Sequence, residues 1–219
     1  MDNHSGLQTY VSNIVKSLSV VISVGDAMTA AADPDARLRL EWGRLRQQAA
    51  WRSVALDWAD PPSQRAPHYY EDSDGWLRSA GENPLLDPDE TAGFPAQRVQ
   101  LSDRRSPTAL VVFVNTPAGS QAIARVTVAS GKGSTRRMKL SWDGHSVGTR
   151  AVATYFNREQ ALFFALPKSA AAGVHELRLT PDDGGDLLVR QIALAGSEDL
   201  SLVPRPRLPE GGKLELLCA

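Results

Sequence analysis

Disulfides, an excess of charge of one sign and a long apolar run are all missing from this 219-residue chain. Its single cysteine, Cys218, excludes an internal disulfide, so the fold must be stable without one. The 24 basic and 25 acidic side chains give a formal net charge of −1. Because proteins that bind nucleic acid usually carry a basic excess, we expect no nucleic-acid partner.

The apolar stretch nearest the amino end, residues 7–24, is interrupted by polar side chains such as Ser12, Asn13 and Lys16. A signal peptide or a membrane span would need an unbroken apolar segment. The sequence therefore predicts no membrane span. By default it predicts a cytoplasmic location, although export by another route would leave no such segment.

Motifs for catalysis, metals or cofactors are also missing. Asp143, His145 and Ser146 are the residue types of a hydrolytic triad, but close neighbours in a hairpin point to different faces. No two of the four histidines stand at zinc-ligand spacing. We therefore predict no catalytic residue, no metal and no cofactor.

One cation remains an open question. Asp182, Asp183 and Asp186 surround Gly184-Gly185 and could supply oxygen ligands to calcium. The same residue types favour an ordinary turn between two strands, because Asp and Gly tolerate its backbone angles. The sequence does not decide between the two.

The most regular part of the chain is a series of short segments with alternating apolar and polar residues. Ile123, Val126 and Val128 show this alternation well, and turn residues such as Asp143-Gly144 separate the segments. The predicted strands are residues 97–101, 108–116, 121–129, 136–142, 147–154, 160–166, 174–180 and 186–194. Short strands at such regular spacing are typical of an antiparallel β-sandwich.

Residues 1–60 instead show helical spacing. A first helix is predicted over residues 7–24. A second begins at Asp33-Pro34, where Asp can cap the helix and Pro suits its first position, and ends before Pro61. Its apolar residues are candidates for binding a partner: Leu38, Trp42, Leu45, Trp51 and Trp58.

The domain organisation follows from these patterns. We predict a helical segment over residues 1–60, a Pro-rich ordered connection with one or two edge strands over 61–96, a β-sandwich over 97–196 and an extended tail over 197–219. The fold class is α+β: an antiparallel jelly-roll-like β-sandwich preceded by an N-terminal helical pair.

Three stretches of the strand region resemble the galactose-binding-like jelly roll used by many carbohydrate-binding modules. These are residues 108–116, residues 139–149 with the Trp142-Asp143-Gly144 hairpin, and the pair 173–179 and 186–194. The resemblance covers residues of about 97–194 and implies the sandwich fold and sugar binding. It is a likeness of strand pattern, so it carries over no binding residue.

Sugars dock their C–H faces on aromatic rings while fixed polar groups take the hydroxyls. The side chains in or near loops that fit this chemistry are Tyr69, Tyr70, Trp76, Trp142, Asp143, His145, Arg150 and Tyr155. The first hypothesis is therefore a non-catalytic module that binds carbohydrate. The alternative is a structural or assembly protein that docks on another protein or on a second copy of itself. An enzyme with its site within residues 61–95 is the third.

Overall fold

The computed structural model describes residues 34–45, 52–79, 98–102, 107–130, 137–152, 159–182, 186–196 and 199–206. In these ranges one α-helix, α1 (Pro34–Leu45), and a short 3-10 helix (Pro62–Gln64) accompany the strands. The strands are β1 (Arg52–Asp57), β2 (Tyr69–Glu71), β3 (Leu77–Ser79), β4 (Val99–Ser102), β5 (Ala109–Thr116), β6 (Ala122–Ser130), β7 (Arg137–Trp142), β8 (His145–Ala151), β9 (Gln160–Ala165), β10 (Gly173–Pro181), β11 (Asp186–Gly196) and β12 (Ser201–Val203).

The strands form two antiparallel sheets that share one core. The five-stranded sheet has the order β1-β11-β6-β9, and β4 also pairs with β11. The seven-stranded sheet has the order β3-β2-β5-β10-β7-β8, and β12 also pairs with β5. The β-sandwich predicted from the sequence is therefore present.

The strands predicted within residues 97–194 all have counterparts in the structure, with ends shifted by a few residues. The Asp143-Gly144 turn joins β7 to β8 as predicted. Asp143 and Gly144 have φ values of 49° and 78°, the left-handed conformation that two-residue hairpin turns require. Alternation and turn chemistry were thus sufficient for this part of the fold.

The second predicted helix is wrong in its last part, because residues 52–57 form strand β1. This strand pairs with residues 191–196 of β11, while β4 pairs with residues 186–189 on the same edge. The exposure alternates along β1: Ser53 and Ala55 are exposed, whereas Leu56 is fully buried. Pairing with the edge of β11 therefore determines the conformation of residues 52–57, and the helical spacing of their apolar residues arises by chance.

The core lies between the sheets and contains inward residues from both, such as Val112 and Leu179 of one and Val126 and Leu194 of the other. A second, smaller cluster lies on the outer face of the five-stranded sheet. There Trp42 of α1 packs on outward residues of the strands, including Phe163. Helix α1 therefore covers the five-stranded sheet from outside.

The first predicted helix, residues 7–24, lies outside the described residues.

Candidate functional site

The hairpin between β2 and β3 holds an indole ring in solvent. Trp76 has 69% of its surface exposed, although tryptophan is usually a largely buried residue. It directly precedes β3 in a tight turn, where Gly75 has a φ of 82° and donates its N–H to the Asp72 carbonyl at 3.1 Å. We call residues 72–78 the Trp76 loop.

The carboxylate of Asp72 organises this loop. Its Oδ1 accepts the backbone N–H groups of Asp74 at 3.1 Å and Trp76 at 2.8 Å. Its Oδ2 accepts Arg78 Nε at 2.8 Å. The hydrogen bond from Arg78 and that from the Trp76 backbone lower the pKa of Asp72, so the carboxylate is ionised at neutral pH. One charged group therefore holds three donors of the loop.

The Trp76 loop is also fixed to the sheet behind it. Thr108 donates its backbone N–H to the Glu71 carbonyl at 2.8 Å, and its hydroxyl lies 3.3 Å from the Asp72 carbonyl oxygen. The Glu71 carboxylate forms an ion pair with Arg178 of β10. The indole is thus presented by a turn that is hydrogen bonded on both sides.

Two other aromatic candidates near this loop are engaged in the fold. The ring of Tyr69 packs edge-on against Phe113 at 5.4 Å, and its hydroxyl oxygen accepts the Arg205 N–H at 2.7 Å. Tyr70 is 1% exposed and lies in the core. Tyr70 therefore has no face open to a ligand, and Tyr69 is half-buried and held by these two contacts.

The remaining candidates lie at the β7–β8 turn and beyond it. Trp142 is 5% exposed, and its ring stacks on His175 at 5.0 Å. Asp143 accepts a hydrogen bond from the Glu176 backbone at 2.8 Å and shares one with His175 Nδ1 at 2.7 Å. Burial and the charge of Asp143 raise the pKa of Glu176. These contacts join the β7–β8 turn to β10.

The last three predicted ligand residues are His145, Arg150 and Tyr155. His145 is exposed, with Nδ1 3.0 Å from the Asp143 carbonyl oxygen, and the Arg150 guanidinium lies 4.9 Å from the Phe164 ring centroid. Tyr155 lies outside the described residues.

The roles of Asp72 and Arg78 were not predicted from the sequence. The turn sequence Asp72-Ser73-Asp74-Gly75 was the available signal, because an Asp at the start of a turn commonly accepts backbone N–H groups two or more residues on. Arg78 carries no comparable local signal.

The partner-binding candidates lie mostly against the protein itself. Leu38 and Leu45 are partly buried beside Trp42 on the five-stranded sheet. Trp58 is 1% exposed, and its ring packs edge-on against His68 at 5.4 Å. Trp51 lies outside the described residues.

Metal ligands do not cluster in the described ranges: no group of three or more His, Cys, Asp or Glu side chains there is placed to hold an ion. Asp182 pairs with Arg137 at 3.7 Å, and Asp183 is outside these ranges, so the structure does not decide between a calcium site and an ordinary turn. No helix in the described part of the chain has both the length and the apolar character needed to cross a bilayer.

Comparison with known proteins gives likeness of structure only. No family model and no curated protein sequence matches the chain. Among solved structures, a CBM35 of Abf62 from Cellvibrio japonicus is 9% identical with a TM-score of 0.48, and the match covers 71% of this chain and 100% of that one. A family 35 carbohydrate-binding module from an environmental isolate is 14% identical with a TM-score of 0.39, covering 45% of this chain and 72% of that one.

A longer protein is also similar. A family two carbohydrate esterase from Cellvibrio japonicus is 16% identical with a TM-score of 0.37. The match covers 73% of this chain but 37% of the esterase, so this chain spans little more than a third of that protein's length. At these identities and scores none of the likenesses carries a function to this chain. The function has to be argued from its own side chains.

Proposed function

We propose that the protein is a non-catalytic module that binds carbohydrate, with the indole of Trp76 as the surface on which a sugar ring stacks. The observation that carries this proposal is the 69% exposure of Trp76 at the tip of an ordered hairpin. A pyranose ring offers a face of C–H groups, which an aromatic ring can cover while the sugar hydroxyls stay at the rim.

Polar groups suited to sugar hydroxyls flank the indole. The Arg78 side chain is 51% exposed, and the residues Ser73 and Asp74 are exposed beside it in the turn. These groups include guanidinium donors, a hydroxyl and a carboxylate acceptor. The combination of one apolar face with several donors and acceptors suits a ligand whose ring is apolar above and polar around its edge.

Order in the free protein supports the same function. The Trp76 backbone is held by Asp72, so little loop entropy is lost when a ligand covers the ring. An aromatic residue whose only role was packing would be buried, as Trp142 and Trp58 are. The assembly alternative would place Trp42 and Trp58 at an interface, but they are only 7% and 1% exposed within the chain.

A glycan array probed with the wild type, Trp76→Ala and Trp76→Phe tests the proposal. We expect at least one glycan to bind, the Ala variant to weaken that binding about tenfold or more, and the Phe variant to keep part of it. Leu40→Ala is the matched control, because Leu40 is a 40% exposed apolar residue on α1, away from the hairpin. Absence of binding to every glycan, or equal binding by the Ala variant, would refute the proposal.

A further inference from the structure

The stretch of sequence that carries the exposed indole is acidic, although the whole chain is close to neutral. Residues 71–90 hold seven acidic side chains and a single basic one, Arg78. The structure describes three of these acids, Glu71, Asp72 and Asp74. How their charges are balanced decides which sugars the Trp76 loop attracts.

The two arginines that contact the Trp76 loop or its base are both paired with carboxylates. Arg78 donates its Nε–H to Asp72 Oδ2 at 2.8 Å. Arg178 of β10 forms ion pairs with Glu71 and, at 2.9 Å, with Glu176. These positive charges therefore offer little attraction to a further anion.

Asp74 is the acid of the loop that has no partner. It is exposed in the turn, and its backbone N–H is bound to Asp72 Oδ1 at 3.1 Å. No described residue forms a hydrogen bond or an ion pair with its carboxylate. A Cβ atom at Gly75, between Asp74 and Trp76, would meet nothing within 4 Å. The carboxylate and the indole are therefore both accessible to a ligand.

An exposed indole beside an unpaired carboxylate suits a ligand with positive charge. The face of the indole is electron-rich, so it attracts cations as well as C–H groups. A carboxylate accepts charge-assisted hydrogen bonds from an ammonium group, and these are stronger than neutral ones. An acidic sugar would instead be repelled by Asp74 and would gain little from Arg78, whose charge Asp72 already balances.

We propose that the Trp76 loop binds polysaccharides that carry free amino groups, such as deacetylated amino-sugar polymers. This inference rests on the proposed function, because the sugar ring still stacks on the indole of Trp76. The ammonium group at the edge of the stacked ring would bind the Asp74 carboxylate. The remaining donors of Arg78 would bind neighbouring hydroxyls.

Three oligosaccharides with the same backbone test this preference on the full chain. Cellohexaose, chitohexaose and fully deacetylated chitohexaose differ in one substituent per ring, which is a hydroxyl, an acetamide or an ammonium group. Calorimetry in mildly acidic buffer, in which the amines are protonated, should show the ammonium form binding about tenfold more tightly than cellohexaose, since an exposed cation–π contact and a surface ion pair are each modest. High salt should reduce this preference, because exposed charges are screened. Cellohexaose oxidised to its carboxylate form should bind most weakly.

A neutral replacement identifies the carboxylate responsible. Asp74→Asn removes the charge and keeps the size of the side chain, so the preference for the ammonium form should fall to about threefold or less. Asp60→Asn is the matched control, since Asp60 is an exposed acid outside the Trp76 loop, and it should keep the full preference. Trp76→Ala should weaken the binding of all three oligosaccharides.

Several results would overturn the inference and leave the carbohydrate proposal standing. These are equal affinity for cellohexaose and the ammonium form, no binding of the ammonium form while other glycans bind, and a full preference in Asp74→Asn. Tightest binding of the oxidised form would also overturn it, and would show that basic residues outside the described ranges, such as Arg104 and Arg105, set the field. Undiminished binding of the ammonium form by Trp76→Ala would show general charge attraction without stacking. Absence of binding to every glycan refutes the carbohydrate proposal itself.

Discussion

Arg78 donates its Nε–H to Asp72 Oδ2 at 2.8 Å across the β2–β3 hairpin. The other oxygen of the same carboxylate accepts the Trp76 backbone N–H, also at 2.8 Å. The charge of Asp72 is therefore linked to the placement of the exposed indole. Any condition that protonates Asp72 weakens both of these bonds.

We predict that the Trp76 loop loses its order only in strongly acidic solution. The hydrogen bonds from Arg78 and the Trp76 backbone lower the pKa of Asp72 in the folded protein. A group with a depressed folded pKa stabilises the fold above its unfolded pKa, and this contribution is lost as the pH falls through the folded value. The NMR signal of the Trp76 backbone amide should therefore stay constant down to about pH 4 and shift below it.

Asp72→Asn is the control for this titration. The variant has no carboxylate at this position, so the acid transition of the Trp76 amide should disappear and glycan binding should be weaker already at neutral pH. A transition of the wild-type amide centred above the ordinary carboxyl range would contradict the prediction.

The second prediction concerns the attachment of β1 to the sandwich. Asp57 accepts hydrogen bonds from Arg190 Nη1 at 2.5 Å and from Gln191 Nε2 at 2.6 Å. The Asp57 and Arg190 side chains are only 19% and 21% exposed, so removing one partner leaves the other poorly solvated. Asp57→Ala should lower the free energy of unfolding by about 1–3 kcal/mol, measured by urea denaturation.

Glu41→Ala provides the comparison for Asp57. Glu41 also pairs with an arginine, Arg44, but both side chains are largely exposed, and such surface pairs contribute about 0–1 kcal/mol. A loss for Asp57→Ala no larger than that for Glu41→Ala would show that β1 is held by its backbone and core contacts alone.

The success of the strand prediction and the failure at β1 have a common physical basis. β10 has one buried face along its second half, so its apolar residues alternate there and the sequence alone indicates its conformation. In residues 52–57 the three apolar side chains, Val54, Ala55 and Leu56, are consecutive, and the apolar residues at 51, 54, 55 and 58 also fit a helical spacing. Their conformation is decided by the open edge of β11, which is distant in sequence.

The candidate sites show the same limit. The sequence correctly marks Trp76 as aromatic and close to turn residues, but Trp142 has similar surroundings in the sequence and is buried against His175. Which ring faces solvent depends on how the strands stack.

The last prediction uses two glycines that differ in what surrounds them. A Cβ atom at Gly196 would lie 2.8 Å from the Gln121 carbonyl oxygen, a backbone atom that cannot turn away. At Gly173 a Cβ would meet nothing within 4 Å. Gly196→Ala should therefore destabilise the protein by about 1–3 kcal/mol through overpacking. Gly173→Ala should stabilise it by about 0.4–1 kcal/mol by reducing the entropy of the unfolded chain. Opposite signs in thermal unfolding would confirm the packing of β11 against the start of β6, and a neutral effect of Gly196→Ala would contradict it.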